Sequence, residues 1–181
     1  MDYGLWTMDK ETDMGLTNER IQQRLKEKFG EEIFRFEESY GMLTVEGPKD
    51  YNLKVLQFLF DDAELNFRFL TDLCAVNYPD LPGRELAVVY HLHNLQENVR
   101  IRLKVFTAIT EPTVFTASKL FSAANWMERE TYDFYGVNFL GHPNLKRILN
   151  VDEMDYFPMR KEYPLEDQTR GDKDDEMFGR G

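Results

Sequence analysis

Residues 85–105 read ELAVVYHLHNLQENVRIRLKV, and two arms of strict alternation meet there around a polar loop. Leu86, Val88, Tyr90 and Leu92 share one side of the first arm. Val99, Ile101, Leu103 and Val105 share one side of the second, while Arg100, Arg102 and Lys104 share the other. A period of two places successive side chains on opposite faces, so each arm is a strand with one face buried and one wet, as in antiparallel hairpins. Gln96-Glu97-Asn98 supplies the connection. Just upstream, FRFLTDLCAV (67–76) reads as a further strand, closed by the turn signals Asn77-Tyr78-Pro79-Asp80 and Pro82-Gly83.

Further out the period changes. Thr17 can cap a helix in which Ile21, Leu25 and Phe29 recur every four residues before Gly30 stops it. Two short strands follow, IFRFE (33–37) and MLTVE (42–46), joined around Tyr40-Gly41. Asp50 is placed to cap a second helix with Leu53, Leu56 and Phe60 on one face. Downstream of the hairpin a helix is expected from near Thr116 to Tyr135. Ala117, Leu120, Phe121, Ala124 and Met127 form its apolar stripe, and Gly136 is its left-handed stop. The order α-β-β-α-β-β-β-α gives an α+β fold of two layers, a mostly antiparallel sheet with helices on one face. The domain spans 17–149. Residues 1–16 read as a flexible lead-in. Residues 150–181, with Pro158, Pro164, Gly171, Gly179 and many acids, read as an extended C-terminal arm that gains order on a partner.

Composition narrows the function classes. A chain of 181 residues, 42% hydrophobic and 14% aromatic, is long enough for one real core. A formal net charge of -11 disfavours nucleic acid and anionic lipid, both of which reward clustered Lys and Arg. A lone Cys74 excludes an internal disulfide framework, and it excludes an iron–sulfur cluster held by this chain alone. Within FRFLTDLCAVNY it reads as a buried small residue. The apolar runs are too short to span a bilayer, and the N-terminus lacks the basic start and apolar block of a signal peptide. These features place the chain in the cytoplasm, with any membrane association made through a partner.

Motifs for stand-alone catalysis are missing: the sequence has no Walker loop, no GxGxxG after a strand, no nucleophile elbow and no HExxH. His91 and His93 point to one face of their strand and can begin a metal site, but a third ligand and a second shell are needed. A small metal-dependent enzyme built on them is therefore the minor alternative. His142, between Gly141 and Pro143, is first a turn residue. In WMERETYDFYGVNFLGHPNLKRIL (126–149), Arg129 and Asp133 stand four apart on the helix and can pair, with Glu130 on a neighbouring face. Tyr132, Phe134 and Tyr135 beside these charges want cover. That mixture points to a hydrogen-bonded protein–protein contact. Arg100, Arg102 and Lys104 read as a solvated sheet face, with docking of an acidic patch as the secondary reading.

The same block resembles the signature of the 30 kDa subunit family of respiratory complex I, known in bacteria as the C subunit. The matching positions are Glu128-Arg129-Glu130, Tyr135-Gly136, Gly141-His142-Pro143 and Lys146-Arg147. FLTDLCAVNYP (69–79), AVVYHL (87–92), VRIRLKV (99–105) and MRKEYPL (159–165) extend the likeness over most of the chain from about Phe34 to Leu165. The family commonly has Met-Phe-Gly where Phe134-Tyr135-Gly136 stands, and Gly-His-Pro where Tyr156-Phe157-Pro158 stands. The resemblance implies a non-catalytic core subunit of the peripheral arm of a proton-translocating NADH:quinone oxidoreductase, on the cytoplasmic side of the bacterial inner membrane. FMN, iron–sulfur clusters, NADH and quinone would then belong to other subunits, and this chain would position the D and B subunits that form the quinone site. Glu128, Arg129, Glu130, Asp133, Tyr135, Gly136, Gly141, His142, Pro143, Lys146 and Arg147 would form the partner interface. Phe157, Arg160, Lys161, Tyr163, Pro164 and Leu165 would continue it along the arm. The equivalent subunit of a membrane-bound hydrogenase or another quinone-linked dehydrogenase is the near alternative.

Overall fold

A computed structural model describes residues 15–31 and 34–163. Helix α1 (Asn18–Phe29) begins where Thr17 Oγ1 accepts the Arg20 N–H, and it ends at Gly30, whose N–H returns to Lys26 O. Strands β1 (Arg35–Ser39) and β2 (Met42–Pro48) follow. A single 3-10 turn (Lys49–Tyr51) leads into α2 (Asn52–Asp61), then come β3 (Phe69–Asn77), β4 (Leu86–Asn94) and β5 (Val99–Thr107). These five strands form one sheet in the order β1-β2-β5-β4-β3. Its pairs are antiparallel except β2 with β5, which is parallel. The α+β reading with a mostly antiparallel sheet therefore holds.

Register explains why the sheet has two unlike faces. Leu43, Ile101 and Leu92 lie in one row and Val45, Leu103 and Tyr90 in the next, all on one side. Ile21 and Leu25 of α1 and Val55, Leu56 and Leu59 of α2 close over them, and every one of these side chains is fully buried. Each such side chain contributes about 1.5–3 kcal/mol by leaving water, so this face sets the fold. The opposite face carries Thr44, Glu46, His91, His93, Arg100, Arg102 and Lys104 together with the buried Ala87 and Val89, so β4, expected to be wet on one side, is covered on both.

Three local expectations differ from the structure. Asp50 does not cap α2: it lies in the 3-10 turn, and the cap position, Tyr51, makes no side-chain bond. The buried face of α2 is Asn52, Val55, Leu56 and Leu59, with Leu53 and Phe60 only partly covered. Asn52 is drawn inward because its Nδ2 donates to Tyr90 Oη and Phe115 O. The last helix, α3 (Ala124–Tyr135), starts eight residues later than the apolar stripe suggested. Thr116 instead extends a short parallel ribbon of β6 (Thr113–Phe115) and β7 (Asn138–Leu140), donating its N–H to Leu140 O. Ala117, Phe121 and Ala124 are buried as the stripe requires, yet the first two reach the core from turns. Helix α3 packs against β3, one of the two edge strands of the five-stranded sheet.

Candidate functional site

The 126–149 block folds as α3, its glycine stop, β7, and a turn that brings the chain back along the helix. Two acids on α3 are fully buried, Glu128 holding the segment that leads into the helix and Asp133 the one that returns along it. Glu128 Oε1 accepts the Ala117 N–H at 2.6 Å, and its Oε2 accepts the Thr116 hydroxyl at 2.5 Å. Burial pushes this carboxyl up to about 7, against the pull of those two hydrogen bonds. His142 Nε2 lies 3.0 Å from Asn125 O and 4.0 Å from Glu128 Oε2, while His142 Nδ1 accepts the Asn144 N–H at 3.0 Å. Since Nδ1 is an acceptor and a carbonyl cannot donate, the ring is the neutral tautomer with its proton on Nε2. The Gly141-His142-Pro143 turn is thereby fastened to the first turn of α3.

Asp133 holds the second segment. Its Oδ2 accepts the N–H groups of Ile148, Leu149 and Asn150 at 3.0, 2.7 and 2.9 Å. Its Oδ1 accepts Asn150 Nδ2 at 3.0 Å and Arg147 Nη1 at 2.7 Å. Burial opposes its charge, but the Asn150, Leu149 and Arg147 donors overcome that and hold the carboxyl well below the ordinary range. Arg147 also donates to Asp133 O, Met154 O and Tyr156 O. The expected Arg129–Asp133 pair is therefore not formed. Asp133 prefers Arg147 and three aligned backbone donors, and Arg129 instead donates to Lys146 O and Arg147 O with its guanidinium over the Trp126 ring.

Gly136 ends α3 at φ 75°, a left-handed conformation that side chains resist. A Cβ there would also lie 2.5 Å from Phe157 Cε2 and 2.7 Å from Arg160 Nη2. The guanidinium groups of Arg147 and Arg160 both lie over the Phe157 ring, at 5.1 and 4.6 Å from its centroid. Arg160 Nε donates to Tyr135 O, Met159 N–H to Phe134 O, and Lys161 N–H to Asn77 Oδ1 at the end of β3. Residues 150–163 thus have no regular helix or strand but are tied to α3 and β3. Pro164 and Leu165 lie outside the described residues, as do 166–181 and the lead-in through Met14.

The residues expected at a partner interface divide into two groups. Glu128, Asp133 and Gly136 are buried, and their contacts are internal; His142, Arg147, Phe157 and Arg160 are largely committed to the chain's own turn and tail. Glu130, Gly141, Pro143, Lys146, Lys161 and Tyr163 remain exposed, with Arg129 and Tyr135 partly so. Trp126, Leu149, Val151, Tyr156 and Met159 are also exposed apolar side chains of this region. The charges of the block do not point to them. The signal that could have found them is their apolar character inside a stretch that already reads as a contact.

His91 and His93 are not brought together with further ligands. His91 Nε2 accepts from Arg102 Nε, His93 Nε2 lies 3.1 Å from Asn98 Oδ1, and no three His, Cys, Asp or Glu groups among the described residues converge as a metal site. Cys74 is half-buried, and burial together with Asp72 raises its thiol to about 11, so it stays protonated. Among the described residues no helix is long and apolar enough to cross a membrane.

Fold and site together define a two-layer α+β domain whose signature acids and arginines clamp a turn and a tail onto one helix, leaving outside a mixture of charged and apolar side chains. Residues 45–169 match the family described as respiratory-chain NADH dehydrogenase, 30 Kd subunit. The chain is 43% identical over 141 residues to one of the NADH-quinone oxidoreductase C subunits of Rhizobium meliloti (strain 1021), covering 78% of this chain and 69% of that one. It is 40% identical over 153 residues to the C subunit of the same oxidoreductase from Citrifermentans bemidjiense, covering 84% of this chain and 93% of the relative. Among solved structures, the trypsin-resistant fragment (1-134) of Nqo5 aligns with a TM-score of 0.61 at 29% identity, over 70% of this chain and 98% of the fragment. An archaeal membrane-bound sulfane sulfur reductase shares the fold, with a TM-score of 0.68 at 23% identity over 81% of this chain and 85% of that one. The chain belongs to the 30 kDa subunit family of respiratory-chain NADH dehydrogenase.

Proposed function

We propose that this chain is a core subunit of the peripheral arm of NADH-quinone oxidoreductase, the complex that passes electrons from NADH to quinone. The observation that carries the reading is the single family match over 45–169, which runs from the central strands through the Asp133–Arg147 clamp into the tail. The chain's own contribution is positional. It carries no redox group, and the FMN and iron–sulfur clusters sit on other subunits. It binds the D subunit, with B beside it, and so holds the quinone-site subunits in register on the cytoplasmic side of the membrane.

Two features of the chain support that role. The signature charges rigidify the helix, turn and tail internally, so a docking surface is formed before the partner arrives, which lowers the ordering cost of association. The side chains left outward on α3 and the segment after it include Trp126, Leu149, Val151 and Tyr163, the apolar and aromatic types that anchor interfaces. Co-expression with the D subunit of the same genome should give a one-to-one pair on size-exclusion chromatography. Elution of this chain as a free species beside both D and B would contradict the assignment.

A further inference from the structure

The face of the sheet away from α1 and α2 has a charge pattern that the clamp does not use. One row across it runs Asp72, His91, Arg102, Thr44, with one residue from each of four adjacent strands. Arg102 is fixed within this row. Its Nε donates to His91 Nε2 at 2.9 Å and its Nη1 to Thr44 Oγ1 at 3.5 Å. Because His91 Nε2 accepts, the ring proton is on Nδ1, 3.5 Å from Asp72 Oδ2. Burial and the neighbouring Arg102 lower the affinity of His91 for a second proton, so the histidine remains a neutral acceptor that orients the guanidinium.

The other cations at this face, Lys104 and Arg84, are already matched. Glu46 takes Lys104 at 3.6 Å and Arg84 at 3.5 Å. Asp72 takes His91. Arg100, exposed in the next row beside His93 and the exposed Phe69, and Arg102 both lack a carboxylate partner among the described residues. In a chain of net charge -11, two such arginines on one strand, one of them held in place by neutral groups, are a local exception that surface solvation does not require. Arg102 retains unused Nη hydrogens, and a guanidinium with free donors suits a carboxylate.

We infer that this face receives an acidic, extended segment of a neighbouring subunit, whose carboxylates meet Arg100 and Arg102 and whose apolar residue rests on Phe69. The inference rests on the chain being a subunit of a larger complex. The geometry favours an extended partner, since Arg100 and Arg102 are two apart on β5 and stand roughly 6.6–6.8 Å from each other along it. Alternate side chains of a second extended segment repeat at the same distance. Charge complementarity of this kind fixes register and excludes wrong partners.

The test uses the purified, assembled complex with p-benzoylphenylalanine in place of Phe69, an exposed aromatic position where the probe disturbs little. Retention of the wild-type chain in that complex is scored first and reports on the subunit assignment separately. Irradiation should then join residue 69 to a segment of another subunit with carboxylates at alternate positions. Adding Arg100→Glu, at an exposed site, should lower the yield by about tenfold or more, because a like charge replaces an opposite one. High salt should lower it in the same direction. Absence of an adduct, an adduct within this chain, an adduct to a segment without acids, or a yield unchanged by Arg100→Glu would each overturn the inference.

Discussion

Glu128 is the residue at which sequence and structure part most sharply. As one acid of a Glu-Arg-Glu run it reads as a surface contact, yet it lies fully buried beneath Thr116, Ala117 and His142. A linear pattern cannot tell which side of α3 faces the return chain, because the segment that covers Glu128 joins it only through tertiary structure. Its titration has a defined sign. The folded carboxyl is raised from its ordinary 4.5 to about 7, so the native state holds the proton more firmly than the unfolded chain. The resulting stability is present in full below about 4.5, declines as pH rises to about 7, and is flat above, a loss of about 3 kcal/mol. Glu128→Gln keeps an acceptor for Ala117 N–H and a polar partner for Thr116 while removing the charge. Chemical denaturation from pH 4.5 to 8 should show wild type losing stability relative to Glu128→Gln; parallel profiles would show that this carboxyl does not titrate with folding. Asp133 runs in the opposite sense, being held ionised, and weakens the fold only in strong acid.

At the scale of elements, β5 was legible because its burial alternates along a nine-residue strand, and β4, buried along nearly its whole length, because it stands next to β5 across a short polar loop. Helix α1 was legible from its threonine cap, its spacing and its glycine end. The three-residue strands β6 and β7 were not, since so short a run has no period of its own and is defined by its partner. The start of α3 was misplaced for a related reason: apolar spacing records burial, and turns bury residues as well as helices do. The glycine stop of α3 was read correctly, but its second purpose, making room for Phe157 and Arg160, depends on a contact twenty-one residues away in sequence. Gly136→Ala should therefore cost about 2–4 kcal/mol, from the left-handed backbone together with overpacking. Hydrogen exchange should locate the damage, with residues 150–163 and the end of α3 losing protection before α1 and the central strands. Uniform loss across the domain would mean that the tail is not held by this joint.

Over the whole molecule, one face of the sheet makes the core, one face keeps fixed cations, and the α3 side carries the family signature. The signature's charges are largely internal fasteners. They give the tail through Tyr163 a fixed course against the domain, so the outward surface of this side is shaped by Asp133, Arg147 and Phe157 without being composed of them. The family was legible in the motifs themselves, whereas the division between internal fasteners and outward side chains required the fold. If the chain works as a positional subunit of NADH-quinone oxidoreductase, its company in the cell decides the matter. Affinity purification of a tagged copy from membranes of its native host, with quantitative identification of the bound chains, is the most direct measurement. An equimolar set that includes the D and B subunits and oxidises NADH with quinone, while the isolated chain does not, is the expected result. A tagged chain recovered free of those subunits, beside an active oxidoreductase that lacks it, would contradict the positional role.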